Sequence, residues 1–285
     1  MIEYLASNFG KDPQLTQLLR TRELVITPMT NTYGYANDER EELALTAKGK
    51  TGSFDPNRDF PYNNSPSNCL NTVAGRTIYK LMVDNLFVTA ITFHGGTNVI
   101  GYPWGSNNHI LKRLSYYSAI AEEAPDFTAL RYMGQAMNDA SGNDIDLSES
   151  GFSIPKYILG SMTETVYSVG GGMEDWGYAA GWDNKTPDAT FDKCAPVTLP
   201  ALEDQFYESQ ANIRCAVYLV ETDPYKSPNP STYGARDIQQ DGDDFQVLPY
   251  SIADQSLSSR FNGHITRNIR LALAMIDMSK PYIYV

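Results

Sequence analysis

Histidine and cysteine are both scarce in this chain, with three of each among 285 residues. Cys69, Cys194 and Cys215 can form at most one disulfide, leaving a thiol over. No C-x-x-C pair is present, so neither a disulfide framework nor a cysteine-built structural zinc site is available. Basic residues are also few: 22 Lys and Arg against 34 Asp and Glu give a formal net charge of −12. That balance excludes nucleic acid as a partner, which would need a basic footprint, and draws in cationic ligands instead. No apolar run approaches the length of a membrane span. The opening "MIEYLASNFGKDP" lacks the basic region, apolar core and cleavage site of a signal peptide. Internal repeats are missing too.

What is there is ordinary globular material, 42% hydrophobic with 19 Tyr and 11 Phe, long enough for one large domain or two modest ones. Sequons at Asn63 and Asn184 permit glycosylation in a secretory protein. A helix is expected over Met1–Phe9, and a second after Asp12-Pro13, an N-cap followed by a first-turn proline. "LVITP" (Leu24–Pro28) reads as a short buried strand, and Asn31–Asn64, rich in Asn, Asp and Gly, as a long loop. Helical periodicity runs through Cys69–Asn85, and Leu86–Phe93 is the strongest strand pattern. Helices are expected over Leu111–Ala124 and Phe127–Ala140, a second strong strand over Cys215–Val220, and a long amphipathic helix over His264–Lys280. Strands alternating with helices imply an α/β fold, whose site lies beyond the carboxyl ends of its strands.

Two of those ends carry chemistry. His94 follows Phe93, and Glu221 follows Val220. A lone imidazole after a strand is most often structural, but Gly95-Gly96 leaves room for other groups to approach it. Glu221, after a mainly apolar strand, is costly to bury without a partner. Asn57-Arg58 could be a solvated loop pair, or a fork that grips a carboxylate.

Four segments, "DPNRDFPY", "FHGGTNVIGYPWG", "VYSVGGGMEDWGY" and "CAVYLVETDPYKSP", occur in an order and at spacings that resemble the M14 zinc carboxypeptidases. The resemblance covers about Asn8 to Pro281. It implies a mixed, mainly parallel twisted sheet flanked by helices, and removal of C-terminal residues from peptides. It also implies roles. His94 is then a zinc ligand, Asn57 and Arg58 grip the substrate's C-terminal carboxylate, and Tyr167 closes over the substrate. Glu221 is the general base and Arg40 stabilises the oxyanion. Glu174 lies at the bottom of the pocket for the terminal side chain, where an acidic residue implies preference for C-terminal Lys or Arg. Cys194 also precedes a short apolar run, but Pro200 stands six residues after it and cannot act as a base, so the Cys215 register is preferred.

The chain departs from that family at its N-terminal side. None of His94, His109 and His264 begins the H-x-x-E motif that supplies two further zinc ligands, and catalytic zinc takes three. The expectation is that these ligands and the first strands lie upstream of Met1. Residues 1–281 are then an N-terminally incomplete carboxypeptidase-like domain, and 282–285 the start of a linker or further domain. Partners follow from this: peptide or protein C-termini, and a complementary N-terminal segment or chain, or self-association. A secretory or extracellular location is implied by the resemblance alone. The other readings are a pseudo-peptidase that binds peptides or assembles without catalysis, and a structural protein with an unused pocket.

Overall fold

Apolar runs bounded by Gly, Pro and Asn set out the elements of the chain, which is described here by a computed structural model. The structure describes residues 1–45, 50–65, 68–115, 118–142, 145–147, 152–183, 194, 214–226, 228–229, 232–233 and 263–279. In order they form α1 (Ile2–Asn8), α2 (Pro13–Thr21), α3 (Thr32–Asn37), β1 (Glu42–Leu45), β2 (Thr51–Phe54), α4 (Val73–Asp84), β3 (Thr89–His94) and β4 (Asn98–Tyr102). Then come β5 (Ile110–Arg113), β6 (Ala119–Ala121), α5 (Phe127–Ser141), β7 (Ile145–Leu147), β8 (Phe152–Ile154) and β9 (Ile158–Ser161). The described elements end with α6 (Met162–Thr165), α7 (Met173–Ala179), β10 (Ala216–Thr222) and α8 (His264–Met278).

A four-stranded sheet in the order β3-β10-β4-β9 forms the centre. β3 runs parallel to β10, β10 antiparallel to β4, and β4 parallel to β9, so the sheet is mixed and mainly parallel as expected. Val217, Tyr218, Leu219 and Val220 of β10 are fully buried, as are Val99 and Ile100 of β4. Around them Trp104, Trp176, Tyr79 and Leu271 complete the main core, with Trp176 stacked between Phe60 and Tyr79. A smaller core joins Tyr4, Leu5, Leu15 and Leu18 of the first two helices to Ile269, Leu273 and Ile276 of α8. α8 therefore serves both cores, and the N-terminal helices pack on it within the chain itself. Cys69 and Cys194 form a disulfide, and Cys215 is a buried free thiol.

Helix starts follow side-chain chemistry. Asp12 accepts from the N–H groups of Gln14 and Leu15 at the start of α2, and Pro13 takes the first helical position. Thr72 caps α4 through Gly75 N–H, and Asp59 accepts from Asn71 N–H, Thr72 N–H and the Thr72 hydroxyl.

Several local expectations are corrected. Leu111–Ala124 is not a helix but carries the β5–β6 hairpin. Ala119 and Ala121 are buried while Ile120 is exposed, a two-residue alternation, and Leu114 and Ser115 N–H both donate to Ser118 O at the turn. The expected loop Asn31–Asn64 contains α3, capped by Asn31 through Gly34 N–H, and the β1–β2 hairpin. Leu24–Pro28 is not a buried strand: the described residues give it no sheet partner, and Val25 and Ile26 are 46% and 39% exposed. β4, a central strand, had no strong sequence signal because Asn98 and Gly101 interrupt its apolar run. Among the described residues, no helix is long and apolar enough to cross a membrane.

Close packing of α7 on β10 requires Gly177. A Cβ there would lie 2.7 Å from Val217 Cγ2 and 3.0 Å from Met82 Cε, and Gly177 O accepts from Cys215 N–H. Gly177→Val is expected to destabilise the fold by about 2–3 kcal/mol through overpacking. Thermal unfolding checks this; an unchanged Tm would contradict the packing described.

Candidate functional site

The register of two parallel strands creates the site. Glu221 of β10 pairs with His94 at the end of β3, so both side chains leave the same face of the sheet on neighbouring strands. They open into a cleft of about 720 Å³. All seven residues singled out from the sequence line it: Arg40, Asn57, Arg58, His94, Tyr167, Glu174 and Glu221.

One wall is the turn at Asp55–Arg58. Asp55 Oδ1 accepts from Asn57 N–H, and its Oδ2 accepts from Arg40 Nη2 at 2.6 Å and Nε at 3.1 Å. The Arg40 guanidinium holds the Asp55 carboxyl below its ordinary range, against the burial that pushes it up. Arg58 reaches across to Tyr167, donating from Nη2 to the hydroxyl at 2.8 Å with its guanidinium 5.7 Å from the ring centre. Asn57 is buried and spans to α7: its Oδ1 accepts from Met173 N–H at 2.8 Å, and its Nδ2 donates to Glu174 Oε2 at 3.3 Å.

Glu174 is 1% exposed. Burial raises its pKa, with Arg58 and the Asn57 amide opposing the shift. Beside it Asp175, also buried, accepts from Gly105 N–H at 3.0 Å and is raised well above the carboxylate range, first by burial and then by Glu174. Among the described residues neither of these adjacent buried carboxyls has an ion pair with a cation, and Glu174 is the one of the two that lines the cleft.

At the other end, burial raises Glu221 as well, opposed chiefly by Lys226 and then by Arg40, Thr97 N–H and Arg58. Its Oε2 is buried and has no hydrogen-bond partner among the described residues. His94 faces Thr92 Oγ1 at 3.0 Å, and burial lowers its pKa to about 4. It therefore stays neutral, the form that can ligate a metal, through neutral pH.

Zinc is the metal that the sequence resemblance implies. The residues present do not complete a catalytic zinc site, because among the described residues no three His, Cys, Asp or Glu side chains are grouped to hold a metal ion. His94 supplies a single neutral imidazole. Asp55 and Lys226 were not singled out from the sequence. Asp55 stands in the "DPNRDFPY" segment, so its contact with Arg40 was within reach. Lys226 enters the cleft only because the loop after β10 returns to Gly95-Gly96, a contact that no spacing encodes.

Two outcomes follow. Elemental analysis of the dialysed chain is expected to find far less than one zinc per molecule; stoichiometric zinc held by His94 and two other side chains would contradict the donor count. For His94 the sign of the linkage is clear: its folded pKa of about 4 lies below the unfolded value of about 6.5. The unfolded chain then binds more protons between these values, so stability is lost as pH falls from 6.5 to 4. His94→Gln is expected to flatten that part of the stability profile, and an unaltered acid limb in denaturant titrations would contradict it.

Comparison with known proteins bears on this site. A family description of zinc carboxypeptidases matches residues 1–196. Carboxypeptidase D of Rattus norvegicus is 29% identical over 185 residues, covering 62% of this chain and 13% of that protein. Carboxypeptidase SOL1 of Arabidopsis thaliana is 26% identical over 204 residues, 67% of this chain and 37% of its own length. Among solved structures, thrombin activatable fibrinolysis inhibitor superposes with a TM-score of 0.52 at 16% identity, over 96% of this chain and 55% of that one, a likeness of fold. The chain thus corresponds to well under half the length of these two curated relatives. With residues 1–196 matched, the chain belongs to the zinc carboxypeptidase family.

Proposed function

We propose that this chain is the substrate-binding and base-carrying part of a carboxypeptidase that removes C-terminal Lys or Arg from peptides. The observation that carries the reading is the register of Glu221 beside His94, facing a cleft that also contains Asn57, Arg58, Tyr167 and Glu174. Arg58 and the Asn57 amide grip the terminal carboxylate through charge-assisted hydrogen bonds. Tyr167, 37% exposed and held by Arg58 through the contact described above and by Arg40, closes over the bound residue. Arg40, oriented by Asp55, faces the oxyanion that develops at the scissile carbonyl. Glu221 accepts the proton of the attacking water and returns it to the leaving amine, a role suited to a carboxylate whose pKa is raised by burial.

Zinc, the metal of this family, would be held by His94 and by ligands from a complementary polypeptide segment. There it would supply polarisation of the carbonyl and activation of water. Two features support such a segment. β3 forms one edge of the central sheet, with no partner on its outer side among the described residues, and Phe93 beside His94 is 50% exposed. The stretch containing Val25 and Ile26 likewise has no strand partner among the described residues, and Thr27 and Phe93 line the same cleft. An unpaired sheet edge flanking a groove is a template for an added strand. A second reading, peptide binding without catalysis, is favoured by one observation: the described residues give His94 no fellow ligands.

Specificity rests on Glu174. The chain is expected to bind a peptide ending in Arg at least tenfold more tightly than the same peptide ending in Phe, and Glu174→Gln is expected to remove most of that ratio. Fluorescence anisotropy with labelled peptides measures it; equal affinity for the two, unchanged by Glu174→Gln, would overturn the basic preference. Catalysis is separable: in an assembled active enzyme, Glu221→Gln is expected to abolish turnover while peptide affinity stays within a few fold. Near-normal turnover would remove Glu221 from the mechanism.

A further inference from the structure

The double glycine after His94 has a purpose beyond the imidazole. The loop that follows β10 folds back on it, so that a Cβ on Gly95 would lie 3.4 Å from the Lys226 Cα and from Tyr225 O. Gly96 takes a φ of +146°, a conformation that side chains other than glycine rarely adopt. The loop itself is fixed at Asp223. The carbonyl of Asp223 accepts from Gly96 N–H at 2.9 Å, its Oδ1 accepts from Tyr225 N–H at 2.6 Å, and its Oδ2 lies 2.8 Å from His264 Nε2 at the start of α8. These contacts hold the Lys226 backbone against the cleft.

The Lys226 ammonium donates to Gly95 O at 2.6 Å and belongs to no ion pair among the described residues. Arg40 is committed to Asp55, and Arg58 to Tyr167 and the Asn57 carbonyl. Lys226 is thus a cation in the cleft with donors to spare. The empty space beside it is specific. The position a Gly96 Cβ would occupy is 3.3 Å from Lys226 Nζ and 3.6 Å from Glu221 Oε2, so the ammonium and the base flank a gap that only glycine leaves open.

Lys226 and Glu174 lie at opposite ends of β4. Lys226 touches Gly95 and Gly96 ahead of that strand, while Glu174 lies 3.5 Å from the Cβ position of Gly105 beyond it. The strand between, from Asn98 to Tyr102, is about 13 Å long at about 3.3 Å per residue. Glu221, paired with Val99 near the start of β4, stands at the Lys226 end of that strand. A peptide whose terminal side chain reaches Glu174 therefore passes Glu221 at its last peptide bond and presents the preceding residue towards Lys226. Successive side chains of an extended peptide point to opposite sides, which suits a cationic group at one end of the cleft and an anionic one at the other.

We infer that Lys226 forms a second subsite, which binds an acidic side chain on the residue immediately before the terminal one. Substrates of this cleft then end in an acidic residue followed by a basic one, an order that matches the two charged ends of the site. This rests on the reading above that Arg58 and Glu174 hold the terminal residue.

The test uses the full chain and three fluorescent peptides that end in Arg and differ only in the penultimate residue, Glu, Gln or Lys. The Glu peptide is expected to bind threefold to tenfold more tightly than the Gln peptide, with the Lys peptide weakest, and the spread to shrink as salt is raised. Lys226→Met should collapse the three affinities onto one value, and Lys226→Arg should restore most of the spread; Lys226 is exposed at the rim, and circular dichroism confirms that these variants fold. Arg58→Ala should weaken all three peptides alike and preserve their ratios, which separates this subsite from the grip on the carboxylate. Equal binding of the Glu and Gln peptides while Arg58→Ala still weakens both would overturn the second subsite alone. Persistence of the Glu preference in Lys226→Met would assign it elsewhere and overturn it as well. No binding of any peptide would overturn both readings.

Discussion

The parallel pairing of β3 with β10 is the constraint on which the site depends. It fixes Glu221 beside His94 with the precision of a hydrogen-bonded ladder, and no loop could hold a carboxylate and an imidazole in one relation so firmly. A slip of one residue would turn Glu221 to the other face, into the helices that pack there. The burial of Val217, Tyr218, Leu219 and Val220 forbids that slip, because their side chains already fill both faces of β10. Packing of the main core therefore sets the geometry of the site.

The electrostatics follow from enclosure. Carboxylates are expensive to bury unless paired, and the cleft resolves this in different ways at its several acids. Asp55 is paired with Arg40 and held ionised. Glu174 and Asp175 are held by amide and backbone donors, with Arg58 adding its charge at Glu174, and burial pushes both towards their neutral forms. Glu221 lies between these cases, raised by burial and restrained by Lys226. A cationic side chain that reached Glu174 would stabilise its ionised form. The net charge of −12 adds long-range attraction for it.

Much of this was legible in the sequence, for identifiable reasons. β10 announced itself because a strand buried on both faces reads as a continuous apolar run, and Glu221 stood out as the charge that ends it. Choosing the Cys215 register over that of Cys194 was a matter of proton chemistry, since Pro200 offers no acid or base; Pro200 lies outside the described residues. The β5–β6 hairpin was misread because "LKRLSYYSAIAEEA" contains good helix formers, and its strands are settled by tertiary packing of Ala119 and Ala121. Leu24–Pro28 has the composition of a strand but gains no partner among the described residues, and strand propensity without pairing leaves Val25 and Ile26 exposed. Lys226 was invisible for another reason: its place depends on Asp223, Gly95 and Gly96 meeting across the sheet, contacts that span more than a hundred residues.

The central claim is that the cleft recognises the C-terminus of a peptide. It is tested most directly by comparing two peptides of one sequence ending in Arg, one with a free terminal carboxylate and one amidated, in a titration against the full chain. The account predicts that the free carboxylate binds at least tenfold more tightly, because only it can engage Arg58 and Asn57 as an anion. Equal affinity for the two peptides would contradict it.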